Sequence, residues 1–244
     1  MGTPLIEDAD GVRWIMLDRP EVLNALTLDD LRAIRSAVDE LDGMRAVVVA
    51  GAGGRAFSAG VHVDTFRNAK PDEGRAIIED VGACVGAVRL APVPTVAMID
   101  GYCLGAAFEL ALACDVRVAT PEWRFGLPEV KLGIPSVVEA ALLLHHVGLS
   151  KAKELILTGA LVTADELPPG LVNRTVPRAR LRDGTEELLR ALTAPTREVI
   201  AAQKALFDTW LNVGLDDSIE RSKTVFAEVF AEEATQQAIA RYRR

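Results

Sequence analysis

At 244 residues, 50% of them hydrophobic, the chain is long enough to bury a large core as one domain, or as one domain with an appendage. Its net charge of −8 lacks the basic excess that a nucleic-acid partner requires and disfavours anionic membrane surfaces, whereas an anionic small ligand needs only a local cluster of Arg and Lys. Three cysteines (Cys84, Cys103, Cys114) sit among apolar residues and read as small buried hydrophobes in a reducing compartment, not as a disulfide frame or a metal site.

No apolar run reaches the roughly 18 residues of a membrane span. The first ten residues carry acids and no signal-peptide core, so a soluble, cytoplasmic protein is expected. Val12 to Leu17 alternates as a strand. A loop follows, then a helix from about Leu28 to Leu41 opened by Thr27 and Asp30, an aspartate version of the capping box. Arg45 to Gly51, with its β-branched run, predicts a buried strand, and Asp72 to Leu90 a helix stopped by Pro92 and Pro94. Further strands are expected at Pro94 to Ile99 and Asp115 to Ala119, and a helix at Val137 to Val147.

From Ser150 the pattern turns helical: 150–158, then a capping box at Thr163 and Glu166, then 185–192, 196–211, 215–230 and 233–243, with a short strand at Val172 to Val176. The expected fold is α/β over 1–180, followed by an all-helical region, 181–244, that packs on the core or on a neighbouring subunit.

The chemistry concentrates where the strand at Ile99 gives way to Asp100-Gly-Tyr-Cys-Leu-Gly-Ala-Ala-Phe-Glu109 and a helix begins. The first N–H groups of a helix lack internal partners and carry the positive end of its dipole. Gly105 and Ala106 are small enough to let a ligand atom reach them, and Glu109 lies one turn up on the same face as Ala106. Ala59-Gly60-Val61 offers a second exposed amide. By itself it reads as a tight glycine turn; paired with Ala106 it makes an oxyanion hole.

Glu109 and Glu129 are the acid/base candidates. Glu109 stands alone in an uncharged helix, so it either has a use or pairs with a buried cation such as Arg117 or Arg124. Glu129 taken alone reads as a surface acid, and Glu139 as a salt-bridged or solvent-facing one.

Gly51-Ala-Gly-Gly-Arg-Ala56 matches a dinucleotide fingerprint locally, but neither the helix nor the later acid of that motif follows. His62, His145 and His146 have no metal-ligand spacing, so no metal is expected, and Ser58 lacks a nucleophile elbow.

Together these segments resemble the crotonase superfamily (enoyl-CoA hydratase/isomerase) almost end to end. Asp18-Arg-Pro-Glu-Val-Leu-Asn-Ala-Leu26 is similar to its opening loop. Arg55 to Val61 and Ile99 to Leu110 are similar to its two oxyanion segments. Phe125-Gly-Leu-Pro-Glu129, Gly133-Ile-Pro135, Leu157-Thr-Gly159 and Gly170-Leu-Val-Asn173 complete the set.

The resemblance implies a spiral of strand–strand–helix units, a homotrimer or homohexamer, and acyl-CoA thioester substrates. Coenzyme A enters as part of the substrate, with no separate cofactor. It further implies a thioester carbonyl held between the N–H groups of Val61 and Ala106, and substrate contacts along Ala59, Val61, His62, Val63, Asp64 and Ala106. Glu109 and Glu129 would be the catalytic pair, and the presence of both favours hydration of a 2-enoyl-CoA over one-acid isomerisation. Isomerisation, thioester hydrolysis, decarboxylation and non-catalytic acyl-CoA binding are the alternatives.

Departures from the family pattern fall at His62 and Asp64, at Ala106 and Ala107 in place of glycines, and at Ser136-Val-Val-Glu139 in place of a glycine-rich turn; the region around Pro168-Pro169 and the C-terminal third also look shortened.

Overall fold

A computed structural model describes residues 4–241 apart from 164, 165, 167 and 168. Five strands run in register beside one another: β2 (Val12–Leu17), β3 (Ala46–Gly51), β5 (Thr95–Ile99), β7 (Val116–Ala119) and β9 (Arg174–Thr175). They are parallel, and β1 (Leu5–Ala9) joins antiparallel on the β2 edge. A second, parallel sheet is built from three short strands, β4 (Ala56–Ser58), β6 (Tyr102–Leu104) and β8 (Arg124–Gly126).

The chain leaves β3 for β4, β5 for β6 and β7 for β8 within a few residues each time. Three successive corners therefore pass from the large sheet to the small one. This is the strand–strand–helix spiral expected from the sequence.

The β-branched run of β3 explains the layering. Alternate side chains of a strand point to opposite faces, and a strand covered on both faces reads as a continuous apolar run. Val47 and Val49 enter the main core with Ile15, Ile99 and the buried faces of α1 (Leu28–Asp39) and α2 (Pro71–Leu90). Ala46 and Val48 face the other way, against Trp14, Val96 and Val118 and against Leu181 and Leu189 of a later helix, α6 (Leu181–Leu192).

Helix α1 opens on the expected box: the Thr27 N–H donates to Asp30 Oδ2 (2.7 Å) and the Asp30 N–H to Thr27 Oγ1 (3.3 Å). The eight-residue α3 (Ala106–Ala113) is apolar all round apart from Glu109 and is buried from Ala107 to Ala113.

Sequence reading missed β1, and it left β6 and β8 as loop or turn. Three-residue strands broken by glycines have no periodicity to read. The expected helix over Val137 to Val147 is instead a 3-10 turn, Val138–Leu142, followed by a short α4 (Leu143–Val147). Val138 has φ +43°, outside the helical region, so the α-helix forms only beyond it. Gly51 to Ala56 forms a 3-10 turn running into β4, which removes the helix a dinucleotide fingerprint needs.

The C-terminal region consists of α5 (Leu149–Thr158), α6, α7 (Arg197–Asn212), α8 (Leu215–Val229) and α9 (Glu233–Arg241). The last two residues of the helix expected over 233–243 lie outside the described residues, as does Pro168. The Thr163 N–H donates to the Glu166 carboxylate (2.9 Å), as the predicted box requires; Ala164 and Asp165 between them lie outside the described residues. Lys204 fastens α7 to the sheet through Asp115 (2.6 Å) and the Val93 carbonyl (2.9 Å). Among the described residues no helix is long and apolar enough to cross a membrane.

Candidate active site

The small sheet sets two backbone segments side by side. After β4 the chain runs along the 18–26 loop. The Ala59 N–H donates to the Leu23 carbonyl (2.9 Å), the Leu26 N–H to the Gly60 carbonyl (2.8 Å) and the His62 N–H to the Leu26 carbonyl (2.8 Å). Val61 pairs with Leu26 in a parallel bridge, and its own N–H points away and meets no protein acceptor among the described residues.

After β6, the Gly105 N–H donates to the Gly126 carbonyl of β8 (3.0 Å), and α3 starts at Ala106, whose N–H is likewise without an acceptor among the described residues. Gly60 has φ +86°, and a Cβ placed on it would lie 2.7 Å from the Leu104 carbonyl oxygen and 3.2 Å from the Ala106 nitrogen. Only glycine permits both this conformation and this approach. The two segments are therefore flush against each other, although some 45 residues separate them in sequence.

Both segments line one cavity of about 290 Å³. Glu109 and Glu129 line it too, amid an apolar wall that includes Ile78 and Val81 of α2 and Pro135 and Val137 of the following turn. Glu129 reaches it from a 3-10 turn, Pro128–Leu132, directly after β8, not from the surface. One of its oxygens stands 2.7 Å from where a Cβ on Gly105 would be. Gly105 has φ +56°, so this position also demands glycine.

The pairing of Glu109 with a buried cation does not occur. Arg117 is buried, but its guanidinium donates to the carbonyls of Ala111 (3.0 Å), Cys114 (2.8 Å) and Leu171; Arg124 donates to the carbonyls of Glu122 and Trp123. Glu109 is 3% exposed; its N–H donates to the Gly105 carbonyl (3.1 Å), and its carboxyl takes part in no side-chain hydrogen bond or ion pair among the described residues. Burial pushes its carboxyl up to about 9, with the negative charges of Glu129 and Glu139 adding to the effect. Burial raises Glu129 as well, but its own backbone N–H and the Ser136 hydroxyl, which donates to Oε2 at 2.9 Å, oppose the rise. Two carboxyls, both raised by burial but only one of them held by a hydroxyl, thus share one cavity, an arrangement in which one can act as acid and the other as base.

Of the other sequence-derived residues, Ala59 and Val63 line the cavity, whereas His62 and Asp64 do not. Asp64 pairs with Arg67, and the His62 ring accepts the Asp64 N–H (3.3 Å). Glu139 pairs with Arg89 (3.7 Å) outside the cavity lining, and Arg89 also binds Asp208 of α7. The three cysteines are free and buried. Among the described residues no three His, Cys, Asp or Glu side chains group as metal ligands. Sequence reading missed Ser136 as a partner of Glu129; a lone serine in a turn gives no signal for such a contact.

The family model described as Enoyl-CoA hydratase/isomerase matches residues 7–244. The chain belongs to the enoyl-CoA hydratase/isomerase family. It is 29% identical to the short-chain-enoyl-CoA hydratase of Clostridium acetobutylicum, over 98% of this chain and 93% of that one. It is 30% identical to the crotonyl-CoA hydratase of Syntrophomonas wolfei, over 93% and 87% respectively. The crystal structure of an enoyl-CoA hydratase from Mycobacterium smegmatis superposes with a TM-score of 0.92 at 27% identity, covering 98% of this chain and 95% of that one. The spiral, the small sheet and the C-terminal helices are therefore those of the family.

Proposed function

We propose that this family member adds water across the double bond of a 2-enoyl-CoA to give a 3-hydroxyacyl-CoA. The reading rests on one observation: Glu109 and Glu129 open onto a single, largely apolar cavity where, among the described residues, no cation pairs with Glu109 and two backbone N–H groups stand without an acceptor. The thioester carbonyl accepts hydrogen bonds from Val61 and Ala106, and these bonds strengthen as charge builds on the oxygen. One of the two glutamates takes a proton from the water as the water oxygen bonds to C3. The π electrons move into the enolate, and the other glutamate, protonated, delivers a proton to C2. A proton passed from the first glutamate back to the second restores the site.

The reaction is redox-neutral, placing a hydroxyl on C3 and a proton on C2, and two carboxyls with two backbone N–H groups can supply its base, acid and electrophile without a separate cofactor. The CoA portion runs along Ala59 to Asp64, where Val63 reaches the cavity and His62 and Asp64 lie just outside it. Apolar side chains left exposed on α7 and α8, among them Phe207, Trp210, Leu215 and Phe226, support a homotrimer or homohexamer, which light scattering measures. Three unpaired buried thiols support a cytoplasmic setting.

Crotonyl-CoA is the first substrate to try, since two relatives are named for short-chain and crotonyl substrates. Loss of the enoyl absorbance reports hydration. Glu109→Gln and Glu129→Gln should each lower kcat by about 10²–10⁴-fold with KM little changed. A variant that keeps most of its activity points instead to a one-acid isomerase, and binding without turnover of any thioester in a panel points to a non-catalytic role.

A further inference from the structure

We propose that Val137 is a specificity-determining residue that ends the room for the acyl chain, so that the site takes short 2-enoyl thioesters and turns away long ones. The inference deepens the hydration reading and rests on it for the place of the thioester carbonyl.

With that carbonyl between the Val61 and Ala106 N–H groups and the CoA portion along Ala59 to Val63, the acyl group extends toward the rest of the cavity lining. Ile78 and Val81 of α2 stand on one side there, and Pro135 and Val137 of the 133–139 turn on the other. Val81 is itself part of the main core, so the α2 side is backed by packed side chains. The whole cavity measures about 290 Å³, at the lower edge of the roughly 300–1,000 Å³ usual for ligand pockets. A long chain would therefore need a wall that moves.

The wall is held in place. Val138, β-branched, has φ +43°, a left-handed conformation that such a residue keeps only where its surroundings impose it. Its Cγ1 packs on Gly82 of α2, so closely that a Cβ added to that glycine would meet it at 3.1 Å. Glu139, the next residue, pairs with Arg89 of the same helix (3.7 Å), and Arg89 binds Asp208 of α7 as well. On the other side Ser136 donates to Glu129 (2.9 Å).

Val137 lies between these attachments, and of the four residues from Ser136 to Glu139 it is the one that lines the cavity. Both holds on α2 belong to the helix that supplies Ile78 and Val81, so the two sides of the acyl wall are fastened to each other. Backbone strain retained beside a site and over-determined by its surroundings is the pattern expected where the conformation serves the site.

The test compares the wild-type protein with Val137→Ala and Val137→Phe, which change the wall in opposite directions. The first readout is calorimetric binding of butyryl-, hexanoyl- and octanoyl-CoA, saturated thioesters with no double bond to hydrate. In an unobstructed apolar pocket each added CH₂ tightens binding about fourfold. The wild type should gain nothing beyond butyryl-CoA. Val137→Ala should shift the hexanoyl-to-butyryl affinity ratio about tenfold toward the longer chain, and Val137→Phe should shift it the other way. The second readout, the ratio of kcat/KM for 2-hexenoyl-CoA to that for crotonyl-CoA, should follow the first.

Wild-type affinity that climbs steadily through octanoyl-CoA overturns the proposal, as does a chain-length ratio within about twofold of wild type in both variants. Binding with the stated length preference but no turnover of any enoyl thioester refutes hydration and upholds the wall. A wild type that binds none of the three thioesters removes both.

Discussion

Gly60→Ala tests the meeting of the two backbone segments directly. The substitution adds one carbon, which would fall 2.7 Å from the Leu104 carbonyl oxygen and 3.2 Å from the Ala106 nitrogen; both are backbone atoms that cannot rotate away. It also forces an L residue to φ +86°. The left-handed conformation costs about 1–2 kcal/mol and the overlap a further 1–3 kcal/mol. At about 2–4 °C per kcal/mol for a chain of this size, the melting temperature should fall by roughly 4–20 °C.

Gly43→Ala is the matched control, with φ +74° but nothing within 4 Å of the added carbon, so it bears the conformational cost alone. The difference between the two variants reads the steric contact. Relief of the overlap must separate the Val61 and Ala106 amides by some tenths of an ångström. The loss of one donor of an oxyanion hole typically lowers kcat by about 10²–10³-fold. The assay is crotonyl-CoA hydration at a temperature where both variants remain folded. If Gly60→Ala is destabilised as expected yet turns over at close to the wild-type rate, the paired amides are not the catalytic donors.

The proton affinity of Glu109 carries a stability consequence. Its carboxyl is raised in the folded protein from 4.5 to about 9, so between those values the folded state holds a proton that the unfolded chain releases, and stability falls as pH rises through that window. Glu109→Gln should therefore stabilise the protein, by up to about 3 kcal/mol at pH 7, with the gain fading toward pH 4.5. Urea unfolding at several pH values measures this, and a gain independent of pH would disprove the cause given. Arg89→Ala should destabilise by about 1–3 kcal/mol, because it leaves the half-buried Glu139 unpaired and frees Asp208 of α7. Glu139→Gln in the Arg89→Ala background should recover part of that loss, a coupling that a double-mutant cycle reads.

The large sheet was legible because β2, β3 and β5 bury runs of β-branched and apolar residues, and their period survives without any knowledge of neighbours. Three of the four leading site residues were legible for a different reason. Val61 and Ala106 are flanked by glycines where small size has a geometric purpose, and Glu109 is a charge in a helix with no other. What escaped was set by contacts between distant segments. The small sheet comes from three-residue strands whose register only the assembled corners determine. The burial of Glu129 comes from the cavity wall and not from its own neighbours in the chain, and its bond to Ser136 crosses a turn that has no periodicity to read. His62 and Asp64, taken from the resemblance as substrate contacts, stand just beyond the cavity rim, bonded to each other and to Arg67.

The small sheet has a consequence for how such a protein can change. The two amide-bearing segments are seated on β4 and β6, joined by ladder bonds, whereas the stretch from Gly133 to Glu139 belongs to no strand and is tied down by a hydroxyl, a guanidinium and a few methyl groups. New side chains there can reshape the pocket, or reset the temper of one acid, while the grip on the carbonyl stays untouched. Chemistry and selectivity are thus mounted on separate frames, and only one of the two is free to drift.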